Sequence, residues 1–217
     1  MPEKETAVEW SLRTWKERHN RGYFPKSEQH RGWKIYDHVP KWLLEHGLPV
    51  RLDKVLEIGC GYGEWMIPLS PLVKELHGID IHPGLASKSA EKFAEHGVQN
   101  CHFTLSDGLS VPYPDKTFDL VYSVTVFQHI PREIVHGYLK ESDRVMAEGG
   151  RSLHHFRNAN NVGNFPTPAK DITAYHTGDF SCGWTAQEVY EAGMAVGWKT
   201  EVIDDGLFLV LKGTRNV

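Results

Sequence analysis

The chain has no apolar run approaching the roughly 20 residues that a membrane-spanning helix needs. It has only three cysteines, Cys60, Cys101 and Cys182. Their odd number, and the lack of any CxxC pair, give no sign of a disulfide framework or a zinc knuckle. An excess of positive charge is missing too. The net charge of −4 offers nothing to a phosphate backbone or an anionic membrane over the whole molecule. Residues 1–34 hold eight Lys or Arg, but five Glu are interleaved with them, as on a solvated helical face. There is no repeat and no low-complexity tract, and the opening MPEKETAVEW lacks the apolar core of a secretory leader. A cytoplasmic protein with no nucleic-acid or membrane partner is expected.

What is present is ordinary globular material. A hydrophobic fraction of 40% and a charged fraction of 24% in 217 residues suit one domain with a cap. Residues 1–50 carry Trp10, Trp15, Tyr23, Phe24, Trp33, Tyr36 and Trp42 among charges, with Pro25 and Pro40 as breakers, and read as an N-terminal helical cap. From residue 51 to 217, short apolar runs alternate with helical segments, the pattern of a parallel sheet with crossover helices. Strands are expected at 55–58, 76–81, 101–105, 118–124 and 152–156. One helix opens at Pro83 with Leu85, Ala86, Ala90, Phe93 and Ala94 inward, and another opens at Pro131. Residues 157–183 are long for a loop and read as a lid insertion. Thr185 and Glu188 form a capping box for a last helix, and residues 201–211 close as a hairpin through Asp204-Asp205-Gly206. The fold class expected is α/β: a doubly wound, Rossmann-like, seven-stranded sheet, mostly parallel with an antiparallel C-terminal hairpin.

The strongest motif is Val55-Leu-Glu-Ile-Gly-Cys-Gly-Tyr-Gly-Glu-Trp65, a strand entering a glycine-rich turn. Gly59, Gly61 and Gly63 let the backbone bend sharply and approach a ligand. Residue 64 is Glu where a dinucleotide fingerprint needs its third glycine. With Glu57 before the turn and Glu64 after it, pyrophosphate is poorly received, while a ligand carrying an ammonium and a sulfonium is matched. Asp80, at the end of the second strand, is placed to accept ribose hydroxyls. Asp107, just past the third strand, can accept an adenine amino group.

These motifs, with the FDLVYS strand, the QHIP after it and the LKESDRVMAEGG stretch before the fifth strand, resemble the class I S-adenosylmethionine-dependent methyltransferases of the small-molecule branch. The resemblance implies S-adenosylmethionine as cofactor, S-adenosylhomocysteine as product, and O- or N-methylation of a small-molecule acceptor. It implies that Glu57 and the backbone of Gly59 and Gly61 hold the amino-acid end, with Gly63 also at the cofactor, Asp80 on the ribose and Ile81 on an adenine face. Asp107 and Gly108 would take the adenine edge, Ser123 and Val124 the methionine amine, and His129 would lie beside the methyl donor. A non-catalytic S-adenosylmethionine-binding sensor or partner subunit is the alternative. Pro68, in the helix after the glycine turn, departs from the pattern and should shorten that helix.

Methyl transfer is an in-line displacement that depends mainly on alignment, with a base near neutral pKa helping a hydroxyl or ammonium acceptor. His129 is the first candidate. His154 and His155 point to opposite faces of the fifth strand, and His155 is the second candidate. Tyr23, Phe24, Trp33 and Tyr36, with Phe165, Tyr175 and Trp184 on the lid side, are candidate acceptor walls. No metal is expected, because no paired-acid pattern accompanies the histidines.

Overall fold

The computed structural model describes residues 52–161, 182–206 and 208–215, together with Thr6, Glu9, Arg13, Thr14, Lys16, Glu17 and Glu45. In chain order the elements are β1 (Leu52–Ile58), α1 (Met66–Leu69), β2 (Val73–Asp80), α2 (Gly84–Glu95), β3 (Cys101–Leu105), β4 (Phe118–Ser123), α3 (Arg132–Val145), β5 (Met146–Asn158), β6 (Gly183–Trp184), α4 (Ala186–Ala195), β7 (Trp198–Asp205) and β8 (Phe208–Arg215). The sheet runs β3-β2-β1-β4-β5-β8-β7, with the two-residue β6 pairing β5 off that path. All pairings are parallel except those of β8 with β5 and with β7. This is the expected doubly wound sheet with an antiparallel ending.

Alternation on the central strands divides the interior in two. Leu56 and Ile58 of β1 and Phe156 of β5 face a core shared with Ile134, Tyr138 and Leu139 of α3 and Val189 of α4. Val55, Leu120, Tyr122 and Leu153 face the other core, shared with Met66 and Ile67 of α1 and Phe93 of α2. A strand buried on both faces must be apolar on both, as β1 and β4 are. Glu57, 1% exposed in the middle of such a strand, is therefore an anomaly that needs a partner.

Several boundaries differ from the sequence reading. Helix α1 is only four residues long and passes into a 3-10 turn at Ser70–Leu72, as Pro68 demands. Strand β5 begins at Met146, six residues early, because the Gly149-Gly150 pair bends the strand and shifts its register against β4 without ending it. On α2 the buried residues are Leu85, Ser89 and Phe93, while Ala86, Ala90 and Ala94 are exposed. The helix lies over β3, the sheet's edge strand, so only a narrow stripe reaches the sheet. The three alanines line an open groove of about 560 Å³ with Val98 and Phe103.

At the C-terminal end the capping box forms, with Glu188 N–H donating to Thr185 Oγ1 (3.2 Å) and Thr185 N–H to Glu188 Oε2 (2.8 Å). Most of residues 1–50, expected as a cap, and residues 162–181 of the expected insertion lie outside the described residues. The two ends of the insertion do pair with each other, Arg157 with Gly183 and Asn158 with Trp184.

Candidate active site

The parallel strands β1, β2, β3 and β4 end on one edge of the sheet, where open α/β folds bind ligands. Gly59, Gly61 and Gly63 have φ of +71°, +57° and +84°, a region that side chains rarely adopt. Two of them are glycine for a second reason. A Cβ at Gly59 would lie 2.5 Å from Val126 Cγ2, and one at Gly63 would lie 2.5 Å from Phe93 Cε1. The turn is thus pressed against the segment after β4 on one side and against α2 on the other. A Cβ at Gly61 would meet no described residue within 4 Å. The backbone there forms a cradle that a side chain would fill.

Asp80 joins this cradle to the end of β2. Its Oδ2 accepts from Gly61 N–H (2.9 Å) and its Oδ1 from Ile81 N–H (2.7 Å). Burial raises its pKa above the usual carboxylate value, outweighing the backbone N–H groups of Gly61, Ile81 and His82 that oppose the shift. The loop after β3 is tied in by Ser106 N–H donating to Asp80 O (2.8 Å). Within that loop Asp107 is spent locally: its carboxylate accepts from Leu109 N–H (2.8 Å), Ser110 N–H (2.7 Å) and the Ser110 hydroxyl (2.9 Å). Slight burial would raise its pKa, but those donors hold it below the usual range. Gly108, buried with φ +87°, donates to Ser106 Oγ (3.0 Å).

Below the glycine turn sits the anomalous Glu57. Its register partner on β4 is Tyr122, whose hydroxyl donates to Glu57 Oε2 at 2.7 Å. Burial drives the carboxyl pKa up to about 8; the Tyr122 bond opposes the rise and the nearby Asp80 adds to it. At neutral pH Glu57 is mostly a neutral acid.

Beyond β4, Thr125 adopts φ +59° and turns the chain toward His129, which is half-buried. Its Nε2 lies 2.8 Å from Gln128 Nε2. The Gln128 carbonyl accepts from Cys182 N–H (2.6 Å), the residue at which the insertion returns. Arg132 fixes that return: it donates to Gly183 O (2.8 Å) and Glu188 Oε1 (2.9 Å) and lies 4.2 Å above the Trp184 ring.

Among the expected site residues, the structure brings Glu57, Gly59, Gly61, Gly63, Asp80 and Ile81 together at one edge, beside Asp107 and Gly108. Ser123 ends β4 and Val124 follows it, both buried. His154 is core: its Nδ1 bonds Ser123 Oγ (2.9 Å) and its Nε2 bonds Ser152 Oγ (2.6 Å), and burial pulls its pKa down to about 3. His155 lies on the other face of β5 and stacks on Phe208 at 4.9 Å. Trp184 is 1% exposed and packs edge-on against Phe156. Tyr23, Phe24, Trp33, Tyr36, Phe165 and Tyr175 lie outside the described residues.

Sequence reasoning did not find Tyr122 as the partner of Glu57, nor Gln128 as the link between His129 and the returning segment. The first becomes visible only when β1 is registered against β4. The second depends on a contact 54 positions along the chain and left no local signal. Among the described residues, no group of three His, Cys, Asp or Glu could hold a metal, and no helix is long and apolar enough to cross a membrane.

The residues fit S-adenosylmethionine. A backbone cradle at Gly61, and the buried Glu57 with no cation among its described interactions, suit a ligand with a cationic amino-acid end. A family model described as a methyltransferase domain matches residues 55–150. The sterol 4-C-methyltransferase strm-1 of Caenorhabditis elegans is 29% identical over 154 residues, covering 69% of this chain and 45% of its own. Aklanonic acid methyltransferase DauC of Streptomyces sp. (strain C5) is 28% identical, covering 55% of each. The demethylmenaquinone methyltransferase of Anoxybacillus flavithermus is 32% identical over 45% of this chain and 42% of its own. The chain spans about half the length of these curated relatives. Among solved structures, the PH0226 protein of Pyrococcus horikoshii aligns over 91% of this chain and 99% of its own with a TM-score of 0.73 at 19% identity. The DhpI complex with S-adenosylhomocysteine aligns over 99% of each chain with a TM-score of 0.67, also at 19% identity. At such identities these two likenesses concern the fold.

Proposed function

This chain carries a methyltransferase domain of the class I, S-adenosylmethionine-dependent family, and from that premise we propose that it methylates an oxygen or nitrogen of a small-molecule acceptor, as in natural-product or metabolite tailoring. The observation that carries the reading is the hydrogen bond from Gly61 N–H to Asp80. It joins the open glycine turn of β1 to the acid of β2 in one ligand-facing unit. A small acceptor is in keeping with the curated relatives, whose names give a sterol, aklanonic acid and demethylmenaquinone as their substrates.

S-adenosylmethionine supplies, when bound, a methyl group on a sulfonium. The chain's own residues do the rest. Asp80 takes the ribose hydroxyls with the lone pairs that Gly61 and Ile81 leave, and Ile81 covers the adenine. Asp107 and Gly108 border the adenine edge, through a carboxylate already fixed by its own turn. The backbone at Ser123 and Val124 meets the methionine amine, held rigid by the bond from Ser123 to His154. His129, on the turn between β4 and α3, takes the proton of a hydroxyl or ammonium acceptor. His155 is the second candidate for that task. Alignment contributes most of the rate, since the displacement needs only nucleophile, methyl and sulfur in line.

A thermal-shift series with S-adenosylhomocysteine, followed by transfer of isotopically labelled methyl to a panel of hydroxyl and amine acceptors, tests this. Stabilisation and a labelled product are expected. Stabilisation with no transfer across the panel favours a non-catalytic holder of the cofactor. Stabilisation by NADH with no response to S-adenosylhomocysteine overturns the reading.

A further inference from the structure

Glu57 is a carboxyl in the wrong place for a stable core. It is 1% exposed and is bonded to Tyr122, itself part of the apolar cluster that holds Val55, Met66 and Leu76. Burying a carboxylate is costly unless a cation is paired with it. Among the described residues, no lysine, arginine or histidine interacts with this carboxyl. The ionisable groups around it are Tyr122 from β4, Asp80 from β2, Cys60 from the glycine turn and Cys101 from β3. Each is neutral or negative at physiological pH. The Tyr122 hydroxyl supplies one hydrogen bond and no charge.

A group so placed has two ways to be satisfied. It holds a proton, or a cation arrives from outside. The glycine turn that begins two residues later is where one would arrive, because no described residue fills the space beside Gly61 and Gly61 N–H is held there by the Asp80 carboxylate. We propose that ligand uptake at this site expels the proton that Glu57 carries, so that the carboxylate becomes the counter-charge of the ligand's ammonium. The proposal rests on the reading that the site holds S-adenosylmethionine and its product. The proton passes from the carboxyl oxygen to bulk solvent and no covalent bond changes. Tyr122 serves both states: its hydroxyl donates to Glu57 Oε2 when the other oxygen carries the proton and when it does not.

The consequence is a linkage. With Glu57 protonated in the free protein, each ligand bound below the upper limit of about pH 8 displaces up to one proton, and affinity rises with pH by up to roughly tenfold per unit. Above that limit the gain ends.

The test is calorimetric titration of the full chain with S-adenosylhomocysteine at pH 7, in buffers that differ in ionisation enthalpy. We expect an apparent heat that varies with the buffer, corresponding to release of roughly one proton, and a Kd that tightens between pH 6 and pH 7.5. Glu57→Gln keeps an acceptor for Tyr122 and should bind with no buffer-dependent heat, whereas Asp80→Asn should weaken binding and keep the release. The pH dependence of the unaltered protein decides the matter even if Glu57→Gln does not fold. Binding with a buffer-independent heat and a flat Kd overturns the proposal, and so does release that persists in Glu57→Gln. No binding of S-adenosylhomocysteine at all overturns the functional reading beneath it.

Discussion

Two fully buried groups should give this protein a stability that falls on both sides of mildly acidic pH. Burial pushes the Glu57 carboxyl up to about 8 in the folded protein, against an ordinary value of 4.5. Between those values the folded protein holds a proton that the unfolded chain has lost, so stability declines as pH rises from about 4.5 to 8. His154 titrates near 3 when folded, against 6.5. Between those values the unfolded chain holds a proton that the folded protein refuses, so stability declines as pH falls from about 6.5 to 3. Each slope is at most roughly 1.4 kcal/mol per pH unit. In the shared window from 4.5 to 6.5 they oppose each other, and the maximum should lie there. Other carboxyls titrate too, so the assay is a difference: urea unfolding of the unaltered protein and of Glu57→Gln from pH 5 to pH 7.5. The variant should gain relative stability steadily, on the order of 3 kcal/mol across that range. His154→Asn should flatten the acid limb instead. A Glu57→Gln difference that stays constant with pH would refute the claim that Glu57 is protonated in the fold.

Asp80→Ala removes the charged acceptor of two backbone N–H groups, so it should cost roughly 1–3 kcal/mol of stability and about 2–3 kcal/mol of S-adenosylhomocysteine affinity; unchanged affinity by calorimetry in a folded variant would mean that the ribose lies elsewhere. The three glycines should separate by role. Gly59→Ala and Gly63→Ala meet Val126 and Phe93 and should lower stability by roughly 2–4 kcal/mol in denaturant titrations, whereas Gly61→Ala should cost only about 1–2 kcal/mol of backbone strain but lose most of the ligand affinity. His129→Ala should lower kcat by roughly 10²–10⁴ with S-adenosylmethionine affinity nearly kept, and raised pH should recover part of it; a loss on His155→Ala with His129→Ala within about threefold would move the base to β5.

The sheet was legible in the sequence because its signals are local. Short apolar runs bounded by glycine or proline marked the five parallel strands, and Thr185 with Glu188 marked the last helix by a pattern four residues long. The glycine turn was legible for the same reason. What could not be read depends on neighbours. On α2 the 3.6-residue period placed five residues on one face, but how wide a stripe is buried depends on where the helix overhangs the sheet, and β3 is the edge. Two glycines at 149 and 150 look like a stop. They became a bend inside β5 because pairing with β4 resumes at Arg151. Asp107 looked like a free acceptor, and it proves to be the brace of its own turn. Most of residues 1–50, expected as a cap, including the aromatic residues there expected as acceptor walls, lies outside the described residues.

The acids at the glycine turn connect stability to function. Glu57 and Asp80 both have their pKa raised by burial, and Asp80 raises Glu57 further. A chain selected for stability alone would place an apolar side chain at 57, since burial without a cation is a cost that the Tyr122 bond only partly offsets. Sequence and fold otherwise agree along β1, so the one position where they conflict is where a functional demand is expected. A cationic ligand binds only the folded protein and relieves the repulsion that burial created, so its binding should add stability by mass action. The gain should be largest where Glu57 is most strained, towards pH 8. An apolar residue at 57 would give a firmer core and remove the charge that the ligand needs.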